Sequence, residues 1–240
     1  MQNIFRVSAT LFWLLLAANL CFAEGPQAVG VQQENHFQGP LARVGYLLFL
    51  PQGYAESNHS WPLMMFLHGA QESGTDLAKL KKNGPPKYVE THPRFPFILV
   101  SPQYNSGNDW DKRTLMALLD DVIGKYRVDT RRVCLTGLSM GGSAAWSLAA
   151  AHPERFAAVV PVSGVGDPAD ARKLAALPIW AFHGAKDTII SVDYSRRMVA
   201  ALRAAGGNIQ YTEFPDSHHN IWAKVYNNSK LYKWLLSQER

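Results

Sequence analysis

The sequence predicts an α/β fold in which a mostly parallel central sheet is covered by helices on both faces. Short apolar runs of strand length alternate along the chain with stretches of helical periodicity, and this alternation is typical of parallel sheets. The clearest run, Trp61–Leu67, is apolar at almost every position, as expected of a strand that is buried on both faces. The 240 residues suffice for one such domain with a sizeable core.

The other strands are predicted from similar apolar runs, most of which end in a turn. The first run ends at Pro51-Gln52-Gly53, and the polar residues 24–40 before it are predicted to be a lead-in segment. The predicted strands are 41–50, 61–67, 97–100, 133–135, 156–162, 179–182 and 209–214.

Helices are predicted where apolar residues recur at intervals of three or four. Residues 113–126 show this spacing, and 191–205 form an amphipathic stretch that Gly206-Gly207 closes. A weak helix at 77–90 is interrupted by Gly84-Pro85-Pro86. The remaining helices are predicted directly after Ser139, at 168–176, and in two stretches near the carboxyl terminus.

Residues 1–23 have the pattern of a cleavable signal peptide. Arg6 supplies a positive charge, an apolar run follows at 11–20, and Ala23 fits the cleavage site. The run is too short to span a bilayer comfortably. Lipid attachment at Cys21 is disfavoured because the preceding leucine occupies a position that requires a small residue. We therefore expect an exported protein, periplasmic or secreted, without a stable membrane anchor after cleavage.

Composition excludes several classes of partner and cofactor. The formal net charge is +5, but the basic residues are scattered and their two small clusters lack interleaved aromatics, so nucleic-acid binding is not expected. Cleavage would leave Cys134 as the single cysteine, in an apolar strand where a buried, inert thiol is expected. No cofactor and no metal site are predicted, and the oligomeric state is left open.

The strongest motif is Gly137-Leu138-Ser139-Met140-Gly141. The pattern Gly-x-Ser-x-Gly alone occurs by chance in roughly one chain of this length in ten, and a glycine-rich turn without catalytic function is the alternative interpretation. Here, however, an apolar strand precedes the motif and an alanine-rich helix follows it. Strand, sharp turn and helix form the nucleophile elbow of α/β hydrolases, which exposes the serine hydroxyl above the sheet.

Such an enzyme needs an acid and then a histidine further along the chain. Asp187 follows the predicted strand that ends in Phe182-His183-Gly184, and it is favoured as the acid. The base is His218 or His219, which both follow the last strand, and spacing alone leaves this choice open. The competing acids are Asp167, Asp170, Asp193 and Asp216.

The oxyanion hole would use backbone N–H groups. By position these belong to Met140, after the nucleophile, and to Ala70 or Gln71 in the loop after Trp61–Leu67. His68 is expected to orient that loop. All these candidates directly follow predicted strands, and in open α/β sheets ligands bind outside the carboxyl ends of the strands. One site at that edge is therefore expected.

The chain resembles single-domain α/β hydrolases of the carboxylesterase and phospholipase type. These are related to prolyl-oligopeptidase-like catalytic domains and to secreted polyhydroxybutyrate-depolymerase-like and feruloyl-type esterases. The resemblance implies one catalytic domain over 24–240, with Ser139 as nucleophile, Asp187 as acid, and His219 rather than His218 as base. The loop that begins at Ala70 departs from the family pattern. The residues that carry the resemblance are Phe66-Leu67-His68-Gly69, 126–129, 133–142, 157–162, 181–187, His219-Asn220 and Trp222.

The resemblance implies a serine esterase that cleaves small or polymer-attached carboxylic esters through an acyl-enzyme intermediate. The segment 163–177 is too short for a substantial lid. Trp110 and Trp180 are candidates for the wall of the site, although a tryptophan within a strand, such as Trp180, is more often a core residue. One alternative is a peptidase of prolyl-oligopeptidase type, although no propeller-like module is present in the sequence. The other is a non-catalytic binding protein on the same fold.

Overall fold

A computed structural model describes residues 28–105 and 110–240 of the chain. The predicted signal peptide, and Gly107, Asn108 and Asp109 of the loop before Trp110, lie outside the described residues. No helix in the described ranges is both long and apolar enough to cross a membrane.

A single mixed sheet runs through the described part of the chain. Its strands are β1 (Gln32–Gln38), β2 (Arg43–Phe49), β3 (Trp61–Leu67), β4 (Ile98–Pro102), β5 (Val128–Leu138), β6 (Ala158–Val162), β7 (Ile179–Gly184) and β8 (Ile209–Phe214). Their order is β1-β2-β4-β3-β5-β6-β7-β8. β1 and β2 pair antiparallel with each other, β2 pairs antiparallel with β4, and the remaining pairs are parallel. The predicted mostly parallel sheet is confirmed.

Helices cover both faces of the sheet. They are α1 (Gly84–Val89), α2 (Lys112–Lys125), α3 (Met140–Ala151), α4 (Ala171–Leu174), α5 (Asp193–Ala204), α6 (Trp222–Tyr226) and α7 (Ser229–Leu236). One apolar core contains side chains of α2 to α5, and the second contains side chains of α1, α6 and α7. Between β6 and β7 the chain forms only a short 3-10 helix (Pro168–Asp170) and α4, which agrees with the predicted lack of a lid.

Two cores explain why the central strands are apolar without interruption. Side chains of a strand alternate between the faces of the sheet. In β3, Leu63 and Met65 belong to the core of α2 to α5, whereas Met64 and Phe66 belong to the opposite core. In β5, Cys134 is buried in the second core, and this burial raises the pKa of its thiol to about 12. The expected buried thiol is confirmed.

The prediction of a lead-in over 24–40 is wrong for β1. This strand lies at the edge of the sheet, and none of its side chains is fully buried. From Gln33 to Gln38, half-buried side chains alternate with exposed ones. Its sequence, Gln-Gln-Glu-Asn-His-Phe-Gln, is therefore polar and lacks the apolar run from which the other strands were predicted.

The predicted interruption at Gly84-Pro85-Pro86 is the start of α1, which follows a 3-10 helix at Leu77–Lys82. Proline suits the first turn of a helix, where its missing N–H leaves no bond unmade. Gly84 has φ of +67°, and a Cβ there would lie 2.5 Å from Cζ of Phe66. The glycine is thus required by both the backbone and the core.

Candidate active site

Ser139 lies at a sharp turn between β5 and α3, with φ of 55° and ψ of −118°. This conformation is rare for a residue with a side chain and costs on the order of 1–3 kcal/mol. The flanking glycines permit it. A Cβ on Gly137 would lie 2.2 Å from the Gly141 carbonyl oxygen, and one on Gly141 would lie 2.0 Å from the Leu67 carbonyl oxygen. The structure therefore has the strand, turn and helix that the motif predicts.

Three of the predicted residues form a hydrogen-bonded chain. The Ser139 hydroxyl lies 2.8 Å from Nε2 of His219, and Nδ1 of His219 lies 2.6 Å from Oδ2 of Asp187. Because an ionised carboxylate only accepts hydrogen bonds, Nδ1 carries the imidazole proton. Nε2 then accepts from the serine hydroxyl, which is the arrangement that a general base requires.

The competing residues lie elsewhere. His218 is exposed, whereas its neighbour His219 bonds Ser139. Each of the four competing aspartates has a different partner. Asp167 caps Ala169, and the pairs Asp170–Lys173, Asp193–Arg196 and Asp216–Lys186 are ion pairs.

Asp187 is held by hydrogen bonds to both carboxylate oxygens. Its Oδ1 accepts from the backbone N–H groups of Ile189 and Ile190, each at 2.9 Å, and its Oδ2 accepts from His219. Burial raises the pKa of Asp187, but the bonds from His219, Ile190 and Ile189 outweigh it, so the pKa lies below its usual value. Asp187 is therefore ionised when it faces His219.

The loop after β3 lies directly against the elbow. A Cβ on Gly141 would lie 2.5 Å from the His68 carbonyl oxygen. Ala70 and Met140 are the first residues of a short 3-10 helix and of α3, and the first N–H groups of a helix have no partner within it. Both Ala70 and Gln71 line the cavity beside Ser139, so the geometry leaves both as possible donors.

His68 links this loop to the next one. Its Nε2 accepts from the Tyr104 N–H at 2.8 Å, so Nδ1 donates to the Gly69 carbonyl oxygen at 2.6 Å. Burial lowers the pKa of His68 to about 4, although the bond to Gly69 opposes this shift. Trp110 packs on the ring, with 5.0 Å between centroids. The contacts agree with the expected orienting role.

The cavity beside Ser139 has a volume of about 240 Å³, and part of its wall was not predicted. Trp222 packs edge-on against His219, with 5.2 Å between ring centroids. Ile189 is 72% exposed. Glu72 is buried, and its Oε1 accepts from Asn83 at 2.6 Å. Each of these three residues follows a predicted site residue by at most three positions in the sequence. This closeness in sequence is the signal that could have identified them.

The predicted wall residues Trp110 and Trp180 do not line this cavity. Trp110 packs against the rings of His68 and Tyr104. Trp180 donates to Thr212 Oγ1 and stacks on Phe182. No group of three or more His, Cys, Asp and Glu that could hold a metal occurs within 28–105 and 110–240.

The buried His68 should make stability depend on pH. Its pKa is about 4 in the folded state and 6.5 in the unfolded state. Between these values only the unfolded chain binds the proton, so stability is complete above about pH 6.5 and is lost as the pH falls toward 4. The shift corresponds to roughly 3 kcal/mol.

Urea denaturation of the wild type and of His68→Gln between pH 4 and pH 7.5 measures this loss. The amide oxygen of glutamine can still accept from Tyr104 but does not titrate. We expect the wild type to lose more stability than the variant over this range, and parallel curves would contradict the assignment.

Comparison with known protein families places the chain among hydrolases. The family model described as "Dienelactone hydrolase family" matches residues 26–230. A bifunctional acetylxylan esterase/xylanase, XynS20E of Neocallimastix patriciarum, is 23% identical over 197 residues, which cover 75% of this chain and 27% of that protein. Probable acetylxylan esterase A of Aspergillus clavatus is 28% identical over 152 residues, which cover 58% of this chain and 48% of the relative. The chain thus spans less than half the length of either relative.

Solved structures share the fold. A thermostable esterase superposes with a TM-score of 0.75 at 28% identity, over 88% of this chain and 64% of that one. A ferulic acid esterase superposes with a TM-score of 0.64 at 20% identity, over 85% of this chain and 95% of that one; at this identity the likeness shows the fold alone. Because the family match extends over most of the sequence, the protein belongs to the dienelactone hydrolase family, within the α/β-hydrolase superfamily.

Proposed function

We propose that the protein is a serine esterase that hydrolyses carboxylic esters through an acyl-enzyme intermediate on Ser139. The observation that carries this proposal is the hydrogen-bonded chain from Ser139 through His219 to Asp187. The family and the esterase relatives support hydrolase chemistry. The likeness to acylaminoacyl peptidases is at 13% identity, which shows the fold alone and does not favour a peptidase.

Acylation begins when Oγ of Ser139 attacks the ester carbonyl carbon. His219 accepts the hydroxyl proton at Nε2, and the ionised Asp187 stabilises the imidazolium that forms. The carbonyl oxygen becomes an oxyanion, which the N–H groups of Met140 and of Ala70 or Gln71 would bind. Loss of one such donor typically lowers turnover by about 10²–10³-fold.

The intermediate then collapses and releases the alcohol. The C–O bond to the leaving group breaks, and the imidazolium of His219 returns its proton to the departing alkoxide oxygen. A water molecule repeats the sequence on the acyl-enzyme, with His219 again as base, and the carboxylic acid leaves. No cofactor is needed for any step of this mechanism.

We propose a short acyl group as the preferred substrate moiety. The cavity of about 240 Å³ beside Ser139 is smaller than the roughly 300–1,000 Å³ of pockets that enclose drug-sized ligands. Trp222 and Ile189 give it apolar walls, and the names of two relatives specify acetyl esters of xylan. The alcohol would lie outside the cavity, so a polymer-attached ester is compatible with it.

Export is part of the proposal and rests on the charge and apolar run of residues 1–23. Amino-terminal sequencing of the protein purified from the cells that produce it tests this: the chain should begin at Glu24. An intact Met1 in the purified protein would contradict export by this route.

Substitution of the three residues tests the proposed chemistry. Ser139→Ala and His219→Ala should each lower kcat for p-nitrophenyl acetate by about 10⁴-fold or more, because each removes a member of one catalytic unit. His218→Ala is the matched control, and it should keep the wild-type kcat because that side chain is exposed.

A fluorophosphonate should label the wild type at Ser139, as peptide mapping by mass spectrometry would show. Turnover that survives Ser139→Ala, or a loss confined to His218→Ala, would reject the proposed assignment.

Acyl selectivity tests the proposed cavity. The wild type should prefer p-nitrophenyl acetate to the octanoate, and Trp222→Ala should shift the ratio of kcat/KM values toward the octanoate by at least about tenfold, since it removes an apolar wall. Trp234→Ala makes the same chemical change outside the cavity, and it should leave the ratio unchanged. An equal shift in both variants would contradict the assigned cavity.

A further inference from the structure

A second histidine bonds the acid of the proposed triad. His183 is the residue before the end of β7, and its side chain is fully buried. Its Nε2 lies 3.1 Å from Oδ2 of Asp187 and 2.9 Å from the Ile190 carbonyl oxygen. Its Nδ1 lies 2.7 Å from the hydroxyl of Ser195 on α5. The hydrolytic mechanism above does not use this residue.

The direction of these bonds follows from the chemistry of the partners. A carboxylate and a carbonyl oxygen only accept, so Nε2 of His183 must be a donor toward Asp187 and Ile190. This holds for the neutral and for the protonated ring alike. On the other side, the Ser195 hydroxyl can donate or accept, so it fixes the ring in either state.

Together these bonds immobilise the carboxylate of Asp187. Oδ2 accepts from His219 and His183, while Oδ1 accepts from the N–H groups of Ile189 and Ile190. Rotation of the carboxylate would break bonds to both oxygens. His183 also bonds the carbonyl of Ile190, so one ring holds both the carboxylate and the loop residue whose N–H holds it.

The bonds of His183 to Asp187, Ile190 and Ser195, here called the clamp, connect a surface loop to two rigid elements. Ile189 in the same loop is 72% exposed, so packing of that side chain does not fix the loop. His183 projects from a strand that is paired on both sides, and Ser195 lies in the first turn of α5, where it is buried. The position of Asp187 is thereby set by β7 and α5 rather than by the loop alone.

We propose that His183 is a positioning residue for ester hydrolysis, which holds Asp187 in the orientation that His219 requires. The inference rests on the proposed serine esterase function. The bond between Asp187 and His219 gains strength when the imidazolium forms in the transition state. Loss of the clamp should therefore lower kcat and leave KM unchanged, whereas a general loosening of the site would change both.

Two amide substitutions separate the two sides of the ring. In His183→Asn the amide reaches only the position of Nδ1, so it can bond Ser195 but cannot reach Asp187. In His183→Gln the amide extends to the position of Nε2, where its N–H can donate to Oδ2 of Asp187. The two variants differ by one methylene group, so each is the control of the other.

We expect His183→Asn to lower kcat for p-nitrophenyl acetate by about 10- to 100-fold with KM unchanged, as when the partner that orients a metal-bound histidine is removed. His183→Gln should restore most of this loss. The downfield proton resonance of His219 Nδ1–H should shift or broaden in the asparagine variant and persist in the glutamine variant. Equal kcat in both variants, whether high or low, would overturn the proposal.

Two further variants make the outcome unambiguous. Tyr226→Phe removes a buried hydroxyl that bonds Thr136 at 2.9 Å in the second core. This variant should lose stability but keep kcat. A loss of kcat equal to that of His183→Asn would mean that destabilisation alone explains the effect and would overturn the proposal.

If neither amide variant folds, Ser195→Ala should lower kcat several-fold at constant KM, and an unchanged kcat would overturn the proposal.

Ser139→Ala distinguishes failure of this inference from failure of the proposed function. If Ser139→Ala retains turnover, the serine esterase proposal fails whatever His183 does. If Ser139→Ala is inactive while His183→Asn keeps the wild-type kcat, the esterase proposal stands and the positioning role is overturned.

Discussion

The close approach of the elbow to the end of β3 is the contact on which the rest of the site depends. β3 and β5 are parallel neighbours, and Leu67 pairs with Gly137 where both strands end. The Leu67 carbonyl oxygen then occupies the space that a Cβ on Gly141 would need. This contact brings the serine against the loop of Ala70, so the proposed nucleophile and the proposed oxyanion donors lie together without any further element.

The sequence contained enough information to find Ser139 and Asp187, because each follows an apolar strand and the parallel sheet brings these strand ends to one edge. Spacing could not separate His218 from His219. Which of them faces the serine depends on the path of the loop over β7. There, a Cβ on Gly184 would lie 2.2 Å from the His218 carbonyl oxygen. The family resemblance, rather than local pattern, favoured His219, which is the histidine that bonds Ser139 in the structure.

The sequence did not predict β1 or the contacts of His183, because both depend on where other segments of the chain lie. β1 is polar because it lies at an edge, so no apolar run marks it in the sequence. His183 lies one residue before the end of a buried strand and looks like a core residue, and its proposed role appears only when Asp187 and Ser195 are placed around it. Periodicity reports which face a residue occupies, but the partner it meets there depends on segments that fold against it.

The serine and the acid of the proposed triad contribute to stability with opposite sign. Ser139 has a φ of 55°, a strain that the surrounding structure must offset. Asp187 has a lowered pKa: burial opposes ionisation, but the bonds from His219 and two backbone N–H groups outweigh it. Its contribution to stability is therefore present above the unfolded pKa and is lost as the pH falls through the folded value. The bonds that orient the acid thus also stabilise the fold. Preorganisation has a cost at the proposed nucleophile, whereas at the proposed acid it comes with a gain in stability.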